Sequence, residues 1–435
     1  MRDREDVMRR GFAEFGQYVN PLIHERVRLA TEPYRLVQAR DGALVDDEGR
    51  VYEDFHGTQA FGHRNPAVAA AIVEYLQSDV PSWYPSRLNP LSGRLARRLA
   101  ERTGYDSVSF AFSGSDGVEA AFKLARAATG RPRVLGLERA YHGCGMGSTA
   151  LMHPGPFRDP FGPHVPGVAA LPMNDVPALE RALADGDVAA VIVEPIQGEG
   201  GVRPLSSEYV AALCALTEQH GTLLVADEVQ TGMGRSGRLL LSAGWPRRPD
   251  AAVLAKQLGG GLVPLSTMLT RRALWERAYG RDVEDGEAHN ATLSSNGIGA
   301  VAGLAALELL TEELLERIRS VGAEFKRELA ERLAGSPLFR EVRGEGLLLG
   351  IELAPIEHPW LSLEAFGMSP LAEKGRSSIA PLLCHRLYGR GFYCFAAGHD
   401  WTVVRLQPRF AIDPATLSRF AVAFREELDY LESLS

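Results

Sequence analysis

The sequence predicts an α/β fold, with a large domain built on a mainly parallel sheet and a smaller α+β domain. Short apolar runs between Ser107 and Leu269 alternate with amphipathic helical patterns, which is typical of a parallel sheet covered by helices on both faces. After Leu304 the pattern changes to a long helix, separate strands and a final helix. At 435 residues, 45% of them hydrophobic, the chain is long and apolar enough for a large domain with a smaller companion.

The first predicted element is a hairpin at residues 42–55. Ala43–Val45 leads into the turn Asp46-Asp47-Glu48-Gly49, and Val51-Tyr52 begins the return strand. We expect this hairpin to lie outside the main sheet. The strands of that sheet are predicted from apolar runs at Ser107–Phe112, Arg133–Leu137, Val188–Val193, Thr222–Ala226, Ala251–Leu254 and Pro264–Leu269.

Helices are predicted between and after these strands. Gly117–Ala128 and Ser207–His220 carry apolar residues at three- and four-residue spacing, and a further helical stretch ends near Leu333. Residues 356–379 belong to a Pro-, Ser- and Gly-rich region that interrupts the pattern, which indicates a surface insertion acting as a lid or a dimer ornament. The smaller domain is predicted to contain strands at Glu341–Leu353 and Thr402–Phe410 and a helix over Pro414–Leu431.

Composition points to a small-molecule partner. The net charge of −8 is mild and both signs are mixed along the chain, so no basic stripe indicates nucleic acid. No stretch is apolar enough to cross a membrane, and the first twenty residues lack the apolar run of a signal peptide. The four cysteines form neither a CxxC pair nor a zinc pattern, which favours a reduced, cytoplasmic compartment and predicts no metal site.

Two predicted strands deliver polar residues to one edge of the sheet. The apolar run Leu223–Ala226 is followed by Asp227, and the run Ala251–Ala255 is followed by Lys256 and a glycine triplet. Open α/β sheets bind ligands at such strand ends. Pyridoxal phosphate requires a lysine for its Schiff base and a carboxylate beside its pyridine nitrogen, and Lys256 and Asp227 fit these roles. Taken singly, each residue fits an ordinary structural role better, as a helix-capping acid at Asp227 or a solvated lysine at Lys256.

The motifs around these two residues resemble a known family. Asp-Glu-Val-Gln-Thr-Gly-Met-Gly-Arg at 227–235 and Leu-Ala-Lys-Gln-Leu-Gly-Gly-Gly at 254–261 are similar to the signature of class III aminotransferases, which include ornithine, acetylornithine and 4-aminobutyrate aminotransferases. The similarity extends from about Pro33 to Phe410. It implies a fold-type I transferase with a mainly parallel seven-stranded sheet, a small domain built from both termini (1–70 and 311–435) around a large domain (71–310), and a homodimer.

The resemblance also implies how the cofactor, pyridoxal 5'-phosphate, is held. Lys256 carries it as an internal aldimine and, once released by substrate, shuttles the proton. Asp227 holds the pyridinium nitrogen and Gln230 bonds the ring hydroxyl. The phosphate is expected at Ser113-Gly114-Ser115, because this turn follows a strand and opens a helix.

Three further positions match the family near the cofactor. Tyr141 corresponds to an aromatic residue that stacks on the cofactor face, although core packing is an alternative. His142 is expected to support the site. Thr292 corresponds to a threonine that reaches the phosphate of the neighbouring subunit, but Leu293-Ser294-Ser295 replaces the usual Phe-Gly-Gly beside it.

The substrate residues are assigned by the same resemblance. In glutamate-using members, the arginine at Arg405 grips the substrate carboxylate, and the glutamate at Glu199 pairs with it when no such carboxylate is present. Val19 replaces an aromatic residue of ornithine-using members, and an apolar side chain there accepts no hydrogen bond from a distal ammonium group. Tyr84 is a candidate for the pocket wall, with core packing as the alternative.

These observations predict an aminotransferase. It would move an amino group from an amino acid or ω-amine donor to a 2-oxo acid or aldehyde acceptor, in two half-reactions at one site. An aminomutase, epimerase or decarboxylase on the same scaffold is the alternative, because cofactor motifs do not report which substrate bond breaks. A non-catalytic protein that kept the fold is a third possibility, which the intact Asp227, Gln230 and Lys256 argue against.

Overall fold

The chain divides into two compact units. The computed structural model describes residues 4–23, 36–40, 42–85, 88–355 and 379–434. The large unit is Arg64–Ser320, and the terminal unit is formed by Met1–His63 and Val321–Ser435. The sequence had predicted boundaries after residues 70 and 310. The predicted insertion at 356–379 lies outside the described residues, except for Ile379, where a helix begins.

The strands and helices are numbered in chain order. The strands are β1 (Leu36–Arg40), β2 (Ala43–Asp46), β3 (Val51–Asp54), β4 (Ser107–Ala111), β5 (Arg133–Leu137), β6 (Val168–Leu171), β7 (Val188–Val193), β8 (Ile196–Gln197), β9 (Arg203–Pro204), β10 (Leu223–Asp227), β11 (Ala251–Leu254), β12 (Ser266–Thr270), β13 (Phe339–Glu345), β14 (Leu348–Leu353), β15 (Phe392–Tyr393), β16 (Phe395–Ala396) and β17 (Val403–Leu406). The helices are α1 (Arg4–Tyr18), α2 (Pro66–Gln77), α3 (Pro90–Thr103), α4 (Gly114–Thr129), α5 (Met146–Ala150), α6 (Val176–Leu183), α7 (Ser207–Gln219), α8 (Arg272–Tyr279), α9 (Val283–Glu287), α10 (Gly297–Leu309), α11 (Glu312–Leu333), α12 (Ile379–Gly389) and α13 (Pro414–Leu434).

The large unit contains a seven-stranded sheet with the order β4-β12-β11-β10-β7-β5-β6. Neighbouring strands are parallel except where β12 pairs with β11 and β4. The predicted mainly parallel, seven-stranded sheet is therefore confirmed. The six apolar runs correspond to six of these strands, whereas β6 was not predicted. It is an edge strand without a fully buried residue, so it lacks the continuous apolar run of a central strand.

Side chains of alternate strand residues form two cores on opposite faces of this sheet. Val134 and Ile192 pack in one cluster with residues of α4 and α8. Their neighbours Leu135 and Val191 pack in the other with residues of α6 and α7. Because successive side chains of a strand point to opposite faces, each central strand must be apolar throughout. This burial on both faces explains why the sequence pattern predicted the strands.

Local polar residues determine where the helices begin. Asn65 and Asn89 accept backbone N–H groups at the starts of α2 and α3, each of which has proline in its first position. α4 begins at Gly114 and not at Gly117 as predicted. The Ser113 side chain accepts the backbone N–H of Asp116, and the Asp116 carboxylate accepts that of Ser113, so the helix is capped one turn earlier.

The terminal unit contains two four-stranded sheets, ordered β1-β2-β3-β15 and β13-β14-β17-β16. The predicted hairpin at 42–55 is confirmed as β2 and β3, and Asp46 holds its turn by accepting the backbone N–H groups of Glu48 and Arg50. The region 341–353 was predicted as one strand. It is instead a hairpin of β13 and β14, which turns at Gly346 with a φ of 57°, a left-handed conformation that favours glycine.

Replacing Phe420 with alanine is expected to destabilise the terminal unit by about 3–5 kcal/mol, the usual cost of removing a fully buried aromatic side chain. Phe420 is completely buried and stacks on Phe55 with ring centroids 4.6 Å apart. Urea unfolding of the apoprotein measures the change. Val422→Ala, on the exposed side of the same helix, is the control. A loss no larger for F420A than for this control would contradict the prediction.

Within the described residues, no helix combines the length and apolar character needed to span a bilayer. All four cysteines are free thiols.

Candidate functional site

The site is built at the edge of the large-unit sheet where β10 and β11 end. These strands are parallel neighbours, with Asp227 opposite Val253. The backbone N–H of Glu228 donates to the carbonyl of Val253 at 2.9 Å, which extends the pairing by one residue. β11 ends at Leu254, and Lys256 follows after a single residue, Ala255. The acid and the lysine therefore reach the same edge, where ligands bind in open α/β sheets. Asp227 is buried and Lys256 is half-buried.

Asp227 forms a buried pair with His142. Nδ1 of His142 lies 2.8 Å from Oδ2 of Asp227, and the backbone N–H of Val229 donates to Oδ1 at 3.1 Å. Burial by itself lowers the pKa of His142, but the hydrogen bond to Asp227 and the charge of that carboxylate outweigh it, so the pKa lies above its usual value. The other ring nitrogen, Nε2, is buried without a hydrogen-bond partner among the described residues. The carboxylate is thus oriented from two sides.

A second buried acid, Glu194, follows the neighbouring strand β7. Its Oε1 accepts the backbone N–H of Tyr141 at 2.9 Å, and its Oε2 accepts that of Gly198 at 3.0 Å. Burial raises the pKa of Glu194 to about 7, and the charge of Asp227 acts in the same direction, whereas His142 and the two N–H groups oppose the shift. The carboxyl group therefore titrates near neutrality and connects two separate backbone segments.

The turn at 141–143 packs against the start of α4. Oγ of Ser115 accepts the backbone N–H groups of Cys144 at 3.0 Å and Gly145 at 2.8 Å. Gly143 has a φ of 115°, and a Cβ there would lie 2.5 Å from Cβ of Ser115. At Gly114 an added Cβ would lie 2.8 Å from the methyl groups of Val229. Glycine is required at both positions because the chain segments approach so closely.

Four of the six non-glycine residues with a left-handed backbone in the described part of the chain lie beside parts of the site. Arg139, Val202, Met233 and Lys256 have φ values of 64°, 51°, 51° and 46°. Non-glycine residues adopt this conformation at an energetic cost, and such residues cluster at functional sites. The first three flank the turn at 141–143, the loop at 197–201 and Gln230, respectively. Lys256 is itself strained, which is unusual for a merely solvated lysine.

Gln230 and Glu199 meet beside this edge. Nε2 of Gln230 lies 3.5 Å from Oε1 of Glu199, and Oε1 of Gln230 is buried without a partner in the described part of the chain. A Cβ added at Gly198 would lie 1.6 Å from Oε1 of Gln230. The amide is therefore pressed against backbone and has one polar atom left for a ligand.

The other predicted site residues occupy different places. In the large unit, Tyr84 is half-buried and Thr292 is exposed. The backbone carbonyl of Thr292 accepts the indole N–H of Trp83 at 3.2 Å. In the terminal unit, Val19 is exposed and Arg405 is buried on β17, opposite Gly350 of β14. No group of three or more His, Cys, Asp or Glu within the described ranges is arranged to hold a metal ion.

Two residues beside the site, Glu194 and Ser148, were not predicted from the sequence. Oγ of Ser148 lies 3.1 Å from that of Ser115. For Glu194 a signal was present, because it follows the fully buried strand Val188–Val193 as Asp227 follows Leu223–Ala226. For Ser148 no local sequence feature marks the contact.

Comparisons with known proteins identify the family of the chain. The family described as "Aminotransferase class-III" matches residues 27–428. A putrescine aminotransferase of Pectobacterium atrosepticum is 32% identical, over 97% of this chain and 88% of its own length. The aminotransferase PigE of a Serratia species is 28% identical over 99% of this chain, which spans only 54% of that relative.

The fold is shared with solved structures of the same kind. The ornithine aminotransferase of Toxoplasma gondii superposes with a TM-score of 0.81 at 27% identity, covering 97% of this chain and 94% of the other. The names of these relatives favour transamination over the mutase, epimerase and decarboxylase alternatives. The chain therefore belongs to the class-III aminotransferases and is a pyridoxal phosphate-dependent transaminase of fold-type I.

Proposed function

We propose that this transaminase moves an amino group from an amino acid or ω-amine donor to a 2-oxo acid or aldehyde acceptor, with Lys256 as its catalytic residue. The observation that carries the proposal is the pairing of β10 with β11, which brings a buried carboxylate and a strained lysine to one sheet edge. Parallel strands that end together place such side chains beside a common ligand.

The residues at this edge fit pyridoxal phosphate. Two buried polar atoms, Nε2 of His142 and Oε1 of Gln230, lack a partner within the described residues. Buried polar atoms ordinarily have one, so an absent ligand is a natural explanation. The side-chain amide of Gln230 suits the ring hydroxyl of the cofactor, because an amide both donates and accepts hydrogen bonds.

When bound, the cofactor supplies a protonated pyridine ring that accepts the electrons released at the amine-bearing carbon. Asp227 keeps the proton on the ring nitrogen, since a buried carboxylate strongly favours a cation beside it. His142 and the N–H of Val229 hold that carboxylate in one orientation. Tyr141 is half-buried on the same turn as His142. We assign its aromatic ring to the face of the cofactor ring.

We assign the phosphate to Ser113-Gly114-Ser115. Gly114 and Ser115 lie in the first turn of α4, whose N–H groups have no partner within the helix and whose dipole favours an anion. The glycine lets the backbone approach closely. Thr292 is assigned to the phosphate of the neighbouring subunit, which requires a homodimer with shared sites.

Lys256 moves the proton. With the cofactor bound, Nζ of Lys256 would take the proton from the amine-bearing carbon of the substrate and hold it for return. A general base must be held within hydrogen-bond reach of the proton it removes. The left-handed backbone at Lys256 supports such a fixed position, because strain of this kind persists only where the surrounding structure holds the residue in place.

Substrate recognition is proposed from the family resemblance. Arg405 is assigned to a substrate carboxylate, for which a guanidinium offers a permanent bidentate charge. Glu199, Tyr84 and Val19 are assigned to the remainder of the substrate. The free cysteines support a reduced, cytoplasmic location.

The test is a donor reaction without acceptor. The purified protein, loaded with pyridoxal phosphate, is mixed with putrescine, ornithine, 4-aminobutyrate or glutamate. We expect at least one donor to convert the bound cofactor to pyridoxamine phosphate, detected by absorbance and chromatography, and a 2-oxo acid to reverse the change. Initial rates should give the parallel double-reciprocal lines of a ping-pong reaction. If a broad panel of donors leaves the bound cofactor unconverted, the proposal is wrong.

A further inference from the structure

We propose that Glu194 is a positioning residue of the cofactor site. In its ionised form it holds the turn at 141–143 and the loop at 197–201 together. The inference rests on the proposed function, because it takes Tyr141, His142 and Asp227 as neighbours of the cofactor. Glu194 itself is not assigned a contact with substrate or cofactor.

The geometry of Glu194 is that of a clamp. The residue follows β7, which pairs in parallel with β10 through Val193 and Ala226. It is only 4% exposed. One carboxylate oxygen accepts the N–H of Tyr141 and the other accepts the N–H of Gly198. A single side chain thus joins the turn that carries the stacking ring to the loop that presses on Gln230.

Only the ionised form satisfies both contacts. A carboxylate accepts at both oxygens, whereas a carboxylic acid carries a hydroxyl that donates. Protonation therefore leaves one buried N–H facing a donor, which is costly. Burial raises the pKa of Glu194 to about 7, so the carboxylate that accepts both hydrogen bonds forms as the pH rises through the neutral range.

Charged neighbours connect this ionisation to the cofactor. The titratable groups that act on Glu194 are Asp227 on β10, which disfavours its ionisation, and His142 on the turn, which favours it. The phenol of Tyr141 also lies within range of Glu194 and Glu199, and burial raises its pKa. A cofactor cation beside Asp227 offsets the repulsion between the two carboxylates, so binding favours ionised Glu194. Binding should then tighten as the pH rises through neutrality.

The test uses pyridoxamine 5'-phosphate, which binds without a covalent bond to Lys256, so formation of a Schiff base does not contribute to the measured affinity. Its Kd is measured by equilibrium dialysis between about pH 6 and pH 8.5 for apoprotein of the wild type, E194Q and E194D. Glu180→Gln is the matched control, because Glu180 is exposed on α6. Circular dichroism monitors folding.

We expect the wild type and E180Q to bind several-fold more tightly at the higher pH. E194Q is isosteric, but its amide nitrogen cannot accept an N–H, so at high pH it should bind about 10-fold more weakly, the worth of one hydrogen bond to a charged group. Its affinity should vary less with pH than that of the wild type. E194D keeps the charge and should keep the pH dependence, with weaker affinity because it is one methylene shorter.

Several results would overturn the inference. One such result is binding by E194Q that matches the wild type throughout, and another is binding that is weaker by the same factor at every pH, as a purely structural role predicts. If E194Q does not fold, E194D is measured in its place, and pH-independent binding by E194D would overturn the inference. A wild type that neither binds the probe nor transaminates refutes the proposed function as well. A wild type that does both, with E194Q unchanged, refutes only the role of Glu194.

Discussion

Lys256→Ala is expected to lower the rate of amino transfer by about 10³-fold or more, because the proposed role of Lys256 is both to attach the cofactor and to transfer the proton. Lys256 follows β11 with a left-handed backbone conformation, at the sheet edge where Asp227 also lies. Turnover is measured with saturating donor and acceptor. In parallel, the cofactor that stays on the protein after borohydride reduction and denaturation is counted, and this attachment should be absent from the variant.

The chain offers a close control, since it contains only four lysines. Lys123 is exposed and its Nζ donates to the carbonyl of Ala288, so Lys123→Ala should keep both turnover and attachment. Added methylamine should partly restore turnover to K256A by replacing the missing amine. If K256A retains nearly full activity or attachment, another lysine carries the cofactor and the proposed site is wrong.

Asp227→Asn is expected to lower turnover by about 10²–10³-fold, the usual cost of removing a preorganised charged partner of the reacting group. The amide cannot keep a proton on the ring nitrogen as a carboxylate does. It also changes the hydrogen bond with His142, whose Nδ1 lies 2.8 Å from the present carboxylate. The measurement is turnover per bound cofactor, so that weaker cofactor binding is separated from slower chemistry. Asp227→Glu should recover part of the loss because it restores the charge.

Asp250→Asn is the matched control for this variant. Asp250 is also a buried strand-end acid, but it precedes β11 and so lies at the opposite edge of the sheet, where it accepts the N–H of Leu224 at 2.9 Å and pairs with Arg247. Its loss should reduce stability and leave turnover per bound cofactor unchanged. Equal loss of turnover in both variants would mean that Asp227 acts through the fold and not at the cofactor.

Much of the large unit was predictable because its strands are buried on both faces. Such strands appear as continuous apolar runs, and six were predicted within a few residues of their observed bounds. The exceptions have local causes. β6 is a half-buried edge strand. α4 begins one turn early because Ser113 and Asp116 cap each other, a contact between side chain and backbone that periodicity does not report.

The family, the α/β class and the strand ends that carry Asp227 and Lys256 can be recognised from the amino-acid sequence, because these depend on local apolar runs and a contiguous motif. The groups that those residues meet depend on how the chain folds. His142 reaches Asp227 across 85 positions, and Glu194 joins the N–H groups of Tyr141 and Gly198. A contact to a backbone N–H group cannot be recognised from residue identity, since every residue except proline carries such a group. The partners of a buried carboxylate therefore follow from the path of the folded chain.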